Sequence, residues 1–81
     1  MKEESDALGV EIPEISLIPE KIKAIRGKTN LSQSVFAKLL NVSLSSVRQW
    51  EQGQRAPTGA TKVLLELLDK FPNILDYRIS A

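Results

Sequence analysis

A short stretch of the sequence, residues 44–52, combines hydrogen-bonding side chains with an apolar face that could anchor them. Val47 and Trp50 are three residues apart, so they would share one face of a helix. The remaining face is polar, and before Glu51 it carries no acid. Its hydrogen-bonding residues are Ser45, Ser46, Arg48 and Gln49. Such a face could meet the edges of DNA bases, and the alternative is an ordinary solvated helix face.

Positioning that face requires a second short helix that crosses the first through a tight turn. Ser32 and Ser43 are favourable N-terminal caps. Asn41 tolerates the left-handed backbone of a sharp turn, and Ala37 is small enough to let two helices approach closely. These signals predict helices at residues 33–40 and 44–52, with Gly53 ending the second one.

The rest of the chain supplies further helices and an N-terminal arm. Pro19 is favourable at the start of one helix, and Thr58 is expected to cap another. Further helices are predicted at residues 19–27, about 59–70 and 73–77. Residues 1–18 have no helical period and are expected to be extended or disordered. The sequence thus predicts an all-α domain of four to five helices over residues 19–81, preceded by the arm.

Apolar spacing identifies the expected core. Along the longest helix the apolar positions recur at steps of three and one: Ala60, Val63, Leu64, Leu67, Leu68 and Phe71. The residues expected in the core are Val35, Phe36, Leu39, Val47, Trp50, Leu64, Leu67 and Leu68. A single domain of 81 residues is marginally stable, so close helix packing, self-association or both are expected to support it.

Charge is distributed unevenly although the net charge is only +1. Residues 1–20 hold six acidic side chains and one lysine, a net charge of −5. Residues 21–81 hold ten basic and four acidic side chains, a net charge of +6. A basic domain suits a polyanionic partner, because each neutralised phosphate releases counterions. The alternative is a soluble domain with uneven charge.

Composition argues against several classes of protein. The chain has no cysteine and no histidine, which removes disulfides and the common metal sites. No Gly-rich phosphate loop and no close carboxylate pair occurs in the basic region. We therefore expect no catalytic residues, no metal, no cofactor and no enzyme activity. No signal peptide and no membrane-length apolar run is visible, so we expect a cytoplasmic protein with no membrane partner.

Residues 31–57 resemble the helix-turn-helix of Cro and phage-repressor-type regulators, the xenobiotic-response-element-like family. The matching positions are Leu31-Ser32-Gln33, Ala37, Asn41-Val42-Ser43, Val47, Trp50-Glu51, Gly53, Arg55 and Pro57. The family usually has glycine where this chain has Asn41. Residues 50–59, Leu64-Leu65 and Pro72 are further similar to antitoxins of the HigA and MqsA type. The resemblance covers residues 20–71 and implies a lambda-repressor-like DNA-binding fold.

The resemblance also implies roles for individual residues. The expected base-contacting residues are Leu44, Ser45, Ser46, Arg48 and Gln49. The expected phosphate-contacting residues are Gln33, Gln52, Arg55, Thr58, Thr61 and Lys62. Gln can pair bidentately with adenine, and an arginine prefers guanine. Glu51 is expected to be structural, in an ion pair with Arg55.

Two functions are therefore expected together. The first is a repressor that binds double-stranded operator DNA as a homodimer and regulates its own operon; Leu75, Tyr77 and Ile79 are the candidate dimer contacts. The second is neutralisation of a RelE/HigB-like toxin through the arm at residues 1–18. The alternative is that the chain is an interaction module that neutralises the toxin through this arm, with little DNA binding. A third reading is a helical domain that has lost DNA binding.

Overall fold

A computed structural model describes residues 9–79 of the chain. They form four α-helices: α1 Pro19–Thr29, α2 Gln33–Leu40, α3 Leu44–Gln52 and α4 Ala60–Lys70. A 3₁₀ turn follows at Asp76–Arg78, and no strand occurs within residues 9–79. The predicted all-α class is confirmed, and α2 and α3 have the predicted bounds.

Local capping explains the bounds of α2 and α3. The Ser32 hydroxyl accepts a hydrogen bond from the Val35 amide at 3.3 Å, and the Ser43 hydroxyl accepts one from the Ser46 amide at 3.0 Å. Asn41 ends α2 in the left-handed conformation at φ 61°, and Gly53 ends α3 at φ 78°. Each helix therefore starts and stops on a residue suited to that position.

The core lies where α1 packs against both α3 and α4, and where α2 packs against α3. Its buried members are Ile22, Ile25, Phe36, Ala37, Leu40, Val47, Trp50, Leu65 and Leu68. Trp50 is in the core, as predicted, with 7% of its surface exposed. Because α3 contributes Val47 and Trp50 to this core, its opposite face is held toward solvent.

The predicted register of the core was partly wrong. Val35 is 44% exposed, and Leu64 and Leu67 are only partly buried, whereas Leu65 is fully buried. Two adjacent leucine pairs, Leu64-Leu65 and Leu67-Leu68, let either of two faces of α4 look apolar in the sequence. The packing against α1 selects the face with Leu65 and Leu68.

Two helix ends also differ from the prediction. α1 continues past Gly27 to Thr29, whose hydroxyl bonds the Arg26 carbonyl at 2.6 Å. The N-cap of α4 is Gly59 at φ 57°, with no side-chain cap hydrogen bond, so Thr58 does not cap the helix.

Each flank of the helical domain makes one contact that ties it to the helices. Residues 10–18 have no regular secondary structure; Leu17 packs on the core while Ile12 is 72% exposed. Residues 1–8 of the predicted arm lie outside the described residues. Near the other end, the Arg78 guanidinium donates to the Leu39 carbonyl at 2.9 Å, which satisfies a carbonyl at the end of α2.

Residues 9–79 contain no helix that is long and apolar enough to cross a lipid bilayer. The same residues contain no cluster of acidic side chains that could hold a metal ion.

Candidate nucleic-acid interface

The outer face of α3 presents most of the residues predicted to contact bases. Ser45 and Arg48 are exposed, and Ser46 and Gln49 are half-buried. Leu44 is half-buried as well, and it packs partly against the core. The structure thus brings the five predicted residues onto one helix, but Leu44 offers less free surface than the others.

Ser46 is held in a defined position at the start of α3. The Ser43 hydroxyl donates to the Ser46 hydroxyl at 2.9 Å and accepts from the Ser46 amide. The hydroxyl hydrogen of Ser46 stays available, because Ser46 acts as acceptor in this pair. Ser46 can therefore donate outward while its oxygen is fixed by the cap.

A polar groove of about 230 Å³ connects α3 with the loop that follows it. Its polar lining consists of Ser46, Gln49, Arg55, Thr58 and Thr61. Val42, Trp50 and Ala56 complete the wall. Three predicted phosphate contacts and two predicted base contacts therefore meet at one place, although they come from three segments of the chain.

Three of the predicted phosphate contacts lie outside this groove. Gln52 is exposed at the end of α3, and Lys62 is half-buried in the first turn of α4. Gln33 begins α2, and its side chain is already engaged: its amide Nε2 donates to Glu51 Oε1 at 3.0 Å.

Glu51 pairs with Arg26, and the predicted pair with Arg55 was wrong. Arg26 Nε donates to Glu51 Oε2 at 2.7 Å, and Arg26 Nη2 donates to Oε1 at 3.1 Å. Arg26 Nη1 also donates to the Leu31 carbonyl at 3.1 Å. Glu51 follows Val47 by four residues and so faces the core, whereas Arg55 lies in the loop that lines the groove. We call these contacts of Arg26, Gln33, Leu31 and Glu51 the Glu51 network.

The Glu51 network stabilises a buried carboxylate in its charged form. The Glu51 side chain is only 4% exposed. Burial by itself would raise the pKa of Glu51, but hydrogen bonds from Arg26 and Gln33, helped by the charges of Arg26 and Lys23, lower it below its usual value. The carboxylate therefore ties α1, the start of α2 and α3 together at neutral pH.

A second cluster reduces the basic surface of α1. Lys28 donates to Asp69 Oδ1 at 2.7 Å, and Lys21 lies 3.0 Å from Oδ2. Hydrogen bonds from Lys28 and Lys21 lower the pKa of Asp69. Since these lysines join α1 to α4, their charges are partly neutralised within the domain. We call this set the Asp69 cluster.

Sequence reasoning missed the role of Arg26, one of several basic residues on α1. The available signal was Glu51, because an acid on the buried face of α3 needs a cationic partner. The helix period shows that need, but it does not indicate which of the basic residues satisfies it.

Comparisons with known proteins agree with the resemblance drawn from residues 31–57. Residues 22–76 match the family described as helix-turn-helix, HTH_3. The chain is 36% identical over 67 residues to antitoxin HigA-2 of Vibrio cholerae. The aligned region covers 83% of this chain and 64% of that protein. It is 29% identical over 82 residues to antitoxin MqsA of Escherichia coli, and this aligned region covers 93% of this chain and 63% of that protein. The chain thus spans less than two thirds of the length of either relative.

Proposed function

Because the chain belongs to the helix-turn-helix family HTH_3, we propose that it is a non-enzymatic regulator that binds double-stranded DNA sequence-specifically. The observation that carries this proposal is the outer face of α3, where Ser45, Arg48 and Gln49 stand beside the groove of Arg55, Thr58 and Thr61. Base-reading chemistry and phosphate-binding chemistry are adjacent there, as a major-groove helix requires.

Gln49 and Arg48 are the proposed principal base contacts. The Gln49 carboxamide offers a donor and an acceptor that match the edge of adenine, and the Arg48 guanidinium matches guanine. Ser45 and Ser46 carry hydroxyls that can bond several base edges. Leu44 contributes apolar contact to a thymine methyl, within the surface that its core packing leaves free.

The groove is the proposed seat of a backbone phosphate. Arg55 supplies the positive charge, and the hydroxyls of Thr58 and Thr61 supply hydrogen bonds. Gln33 marks a second phosphate position, because α2 begins there with amides that lack intrahelical partners, although Ser32 already caps the Val35 amide. Gln52 and Lys62 extend the phosphate contacts along the DNA backbone. These contacts set the register of α3 on the duplex without reading sequence.

The two similar proteins are both named antitoxins, and this supports a more specific proposal. The chain is the antitoxin of a toxin–antitoxin pair, and as a homodimer it represses its own operon. Val10 and Ile12, 51% and 72% exposed, give the arm free apolar surface for a RelE/HigB-like toxin. The same surface favours the second candidate, a module that neutralises the toxin with little DNA binding.

The DNA-binding proposal is tested with the full chain, a duplex from its own promoter and a scrambled duplex of equal length. Gln49→Ala should weaken promoter binding by about 1–3 kcal/mol and leave scrambled binding nearly unchanged. Gln52→Ala should weaken both duplexes equally, because a phosphate contact carries no sequence information. Ser16→Ala, which removes an exposed hydroxyl before α1, is the control. Equal promoter affinity for Gln49→Ala and Ser16→Ala would contradict the assignment.

The toxin proposal has its own test. Removal of residues 1–14, which spares Leu17 and the Ile18 carbonyl at the start of α1, should abolish co-purification with the product of the neighbouring gene and leave promoter binding in place. A complex that survives the deletion would refute a role for the arm.

A further inference from the structure

α4 carries a second apolar stripe that the domain does not bury. The first stripe, with Leu65 and Leu68, lies in the core with no exposed surface. The second consists of Ala60, Val63, Leu67 and Phe71. Val63 is 49% and Phe71 58% exposed, and Leu67 is not part of the core cluster. We call these four residues the outer stripe.

The outer stripe has the spacing of a helix-packing seam. Its residues recur at steps of three, four and four, from the first residue of α4 to its C-cap Phe71. Steps of three and four keep apolar side chains on one line, which packs against a second helix. A hollow of about 580 Å³, lined in part by Phe71, Pro72 and Ile74, lies at the end of the stripe. It is wide enough to accept apolar side chains from outside the domain.

The stripe is complementary in size to a reversed copy of itself. If two α4 helices pair antiparallel about a two-fold axis at Leu67, Val63 lies opposite Phe71 of the second copy. The same contact recurs on the other side of the axis, where Phe71 lies opposite Val63 of the second copy. A smaller residue thus meets a larger one at both positions, which allows close packing.

The charges along one edge of the stripe are also self-complementary. Glu66 and Lys70 lie on the same flank of α4, one turn apart, and their midpoint is one residue from Leu67. Within residues 9–79 neither takes part in an ion pair, although Asp69 on the same helix pairs twice. In an antiparallel pair each flank faces the same flank of the partner, so Glu66 faces Lys70 of the second copy.

We infer that the outer stripe is the surface through which two copies of this chain pair, with their α4 helices antiparallel. The inference rests on the proposed function for its purpose, because a homodimer aligns two recognition helices with two half-sites. One helix face per copy makes a small interface, at the low end of about 1,200 Å². The dimer is therefore in measurable equilibrium with the monomer.

The dimer contacts expected from the sequence lie beyond this stripe. Leu75 packs against the core and is half-buried, so it offers little free surface to a partner. Tyr77 is 82% and Ile79 45% exposed, but both follow the end of α4.

Sedimentation equilibrium of the full chain without DNA tests the inference. The wild type should show a concentration-dependent dimer. Val63→Glu should raise the dimer dissociation constant by about tenfold or more, since it buries an unpaired charge against Phe71 of the second copy. Val35→Glu is the matched control, because Val35 is also a helical valine, 44% exposed, but lies on α2. Circular dichroism checks that both variants are folded.

Charge exchange provides a second test that keeps the apolar stripe intact. Glu66→Lys and Lys70→Glu should each weaken self-association, because each places like charges opposite one another. An equimolar mixture of the two variants should form heterodimers in preference to either homodimer. The double exchange in one chain should restore the wild-type constant.

Several outcomes would overturn the inference. One is a wild type that stays monomeric at all concentrations, and another is equal weakening by Val63→Glu and Val35→Glu. A third is a stripe that binds the neighbouring gene product in place of a second copy. Binding to a DNA half-site is measured separately. If the chain does not dimerise but still binds the half-site, the inference is refuted and the proposed function is not. Loss of half-site binding in a normal dimer would refute the proposed function alone.

Discussion

The Glu51 network and the Asp69 cluster both join α1 to another helix, but they differ in exposure. In the network the side chains of Arg26 and Glu51 are 25% and 4% exposed. In the cluster each lysine side chain is 45% exposed and that of Asp69 is 19% exposed. Water and salt screen the second set much more than the first. Similar distances therefore support different conclusions about stability.

The two sets also differ in what they hold in place. The Asp69 cluster joins α1 to α4, which the buried Leu65 and Leu68 already fix by packing. The Glu51 network joins α1 to α3 and to the side chain at the start of α2, and Arg26 further holds the carbonyl of Leu31. We infer that the Glu51 network fixes the angle of α3 relative to α1 and α2, whereas the Asp69 cluster has little influence on that angle.

The largest expected effect is that of Glu51→Ala. It leaves the Arg26 guanidinium partly buried without its partner and the Gln33 amide without an acceptor, so the free energy of unfolding should fall by about 3 kcal/mol. Urea unfolding followed by Trp50 fluorescence measures this change. Glu14→Ala, which removes an exposed carboxylate before α1, is the control and should change stability by less than about 0.5 kcal/mol. An equal fall in the free energy of unfolding in the two variants would mean that the Glu51 network stabilises the fold no more than an exposed side chain does.

Acidification should produce a smaller loss, because a protonated Glu51 keeps part of its hydrogen bonding. The pKa of Glu51 is lowered in the folded state, so its contribution is complete above the unfolded value of about 4.3 and is lost as pH falls through the folded value. Urea unfolding from pH 7 to pH 3 should show this decline in the wild type. Glu51→Gln should be less stable at pH 7 and decline less. Parallel curves for the two proteins would contradict the assignment.

Arg26→Lys should cost about 1–2 kcal/mol, because an ammonium group cannot donate to both Glu51 oxygens and to the Leu31 carbonyl in the geometry of a guanidinium. The charge is kept, so the measurement isolates geometry. Thermal unfolding compares it with Lys23→Arg, an exposed exchange on the same helix. A Tm for Arg26→Lys no lower than that of Lys23→Arg would argue against a geometric role.

The smallest effect is expected for Asp69→Asn. Loss of the paired charge should lower the free energy of unfolding by less than about 1 kcal/mol, and the difference should shrink in 1 M salt. Urea unfolding at low and high salt measures both quantities. A loss as large as that of Glu51→Ala would erase the distinction between the two sets.

How far the sequence predicts this molecule depends on the range of the interactions. The bounds of α2 and α3 could be predicted because Ser32, Ser43, Asn41 and Gly53 act on their own neighbours. The buried face of α4 could not, because adjacent leucines make both faces apolar and only packing against α1 decides between them.

In the candidate site, too, the features set by local sequence could be predicted and those set by tertiary contacts could not. The helical period was enough to place Ser45, Arg48 and Gln49 opposite Val47 and Trp50. The partner of Glu51 is 25 residues away, beyond the reach of local patterns. The groove is also tertiary, since it joins side chains of α3, the following loop and α4. The DNA roles of these residues stay predictions.

The central claim is that the outer face of α3 and the groove beside it contact DNA. Titration of the ¹⁵N-labelled full chain with its promoter duplex, followed by NMR, tests this claim most directly. The amide shifts should change most at residues 44–49 and 55–62, with a further group at the start of α2. Changes concentrated on α1, or no change at any duplex concentration, would contradict the account.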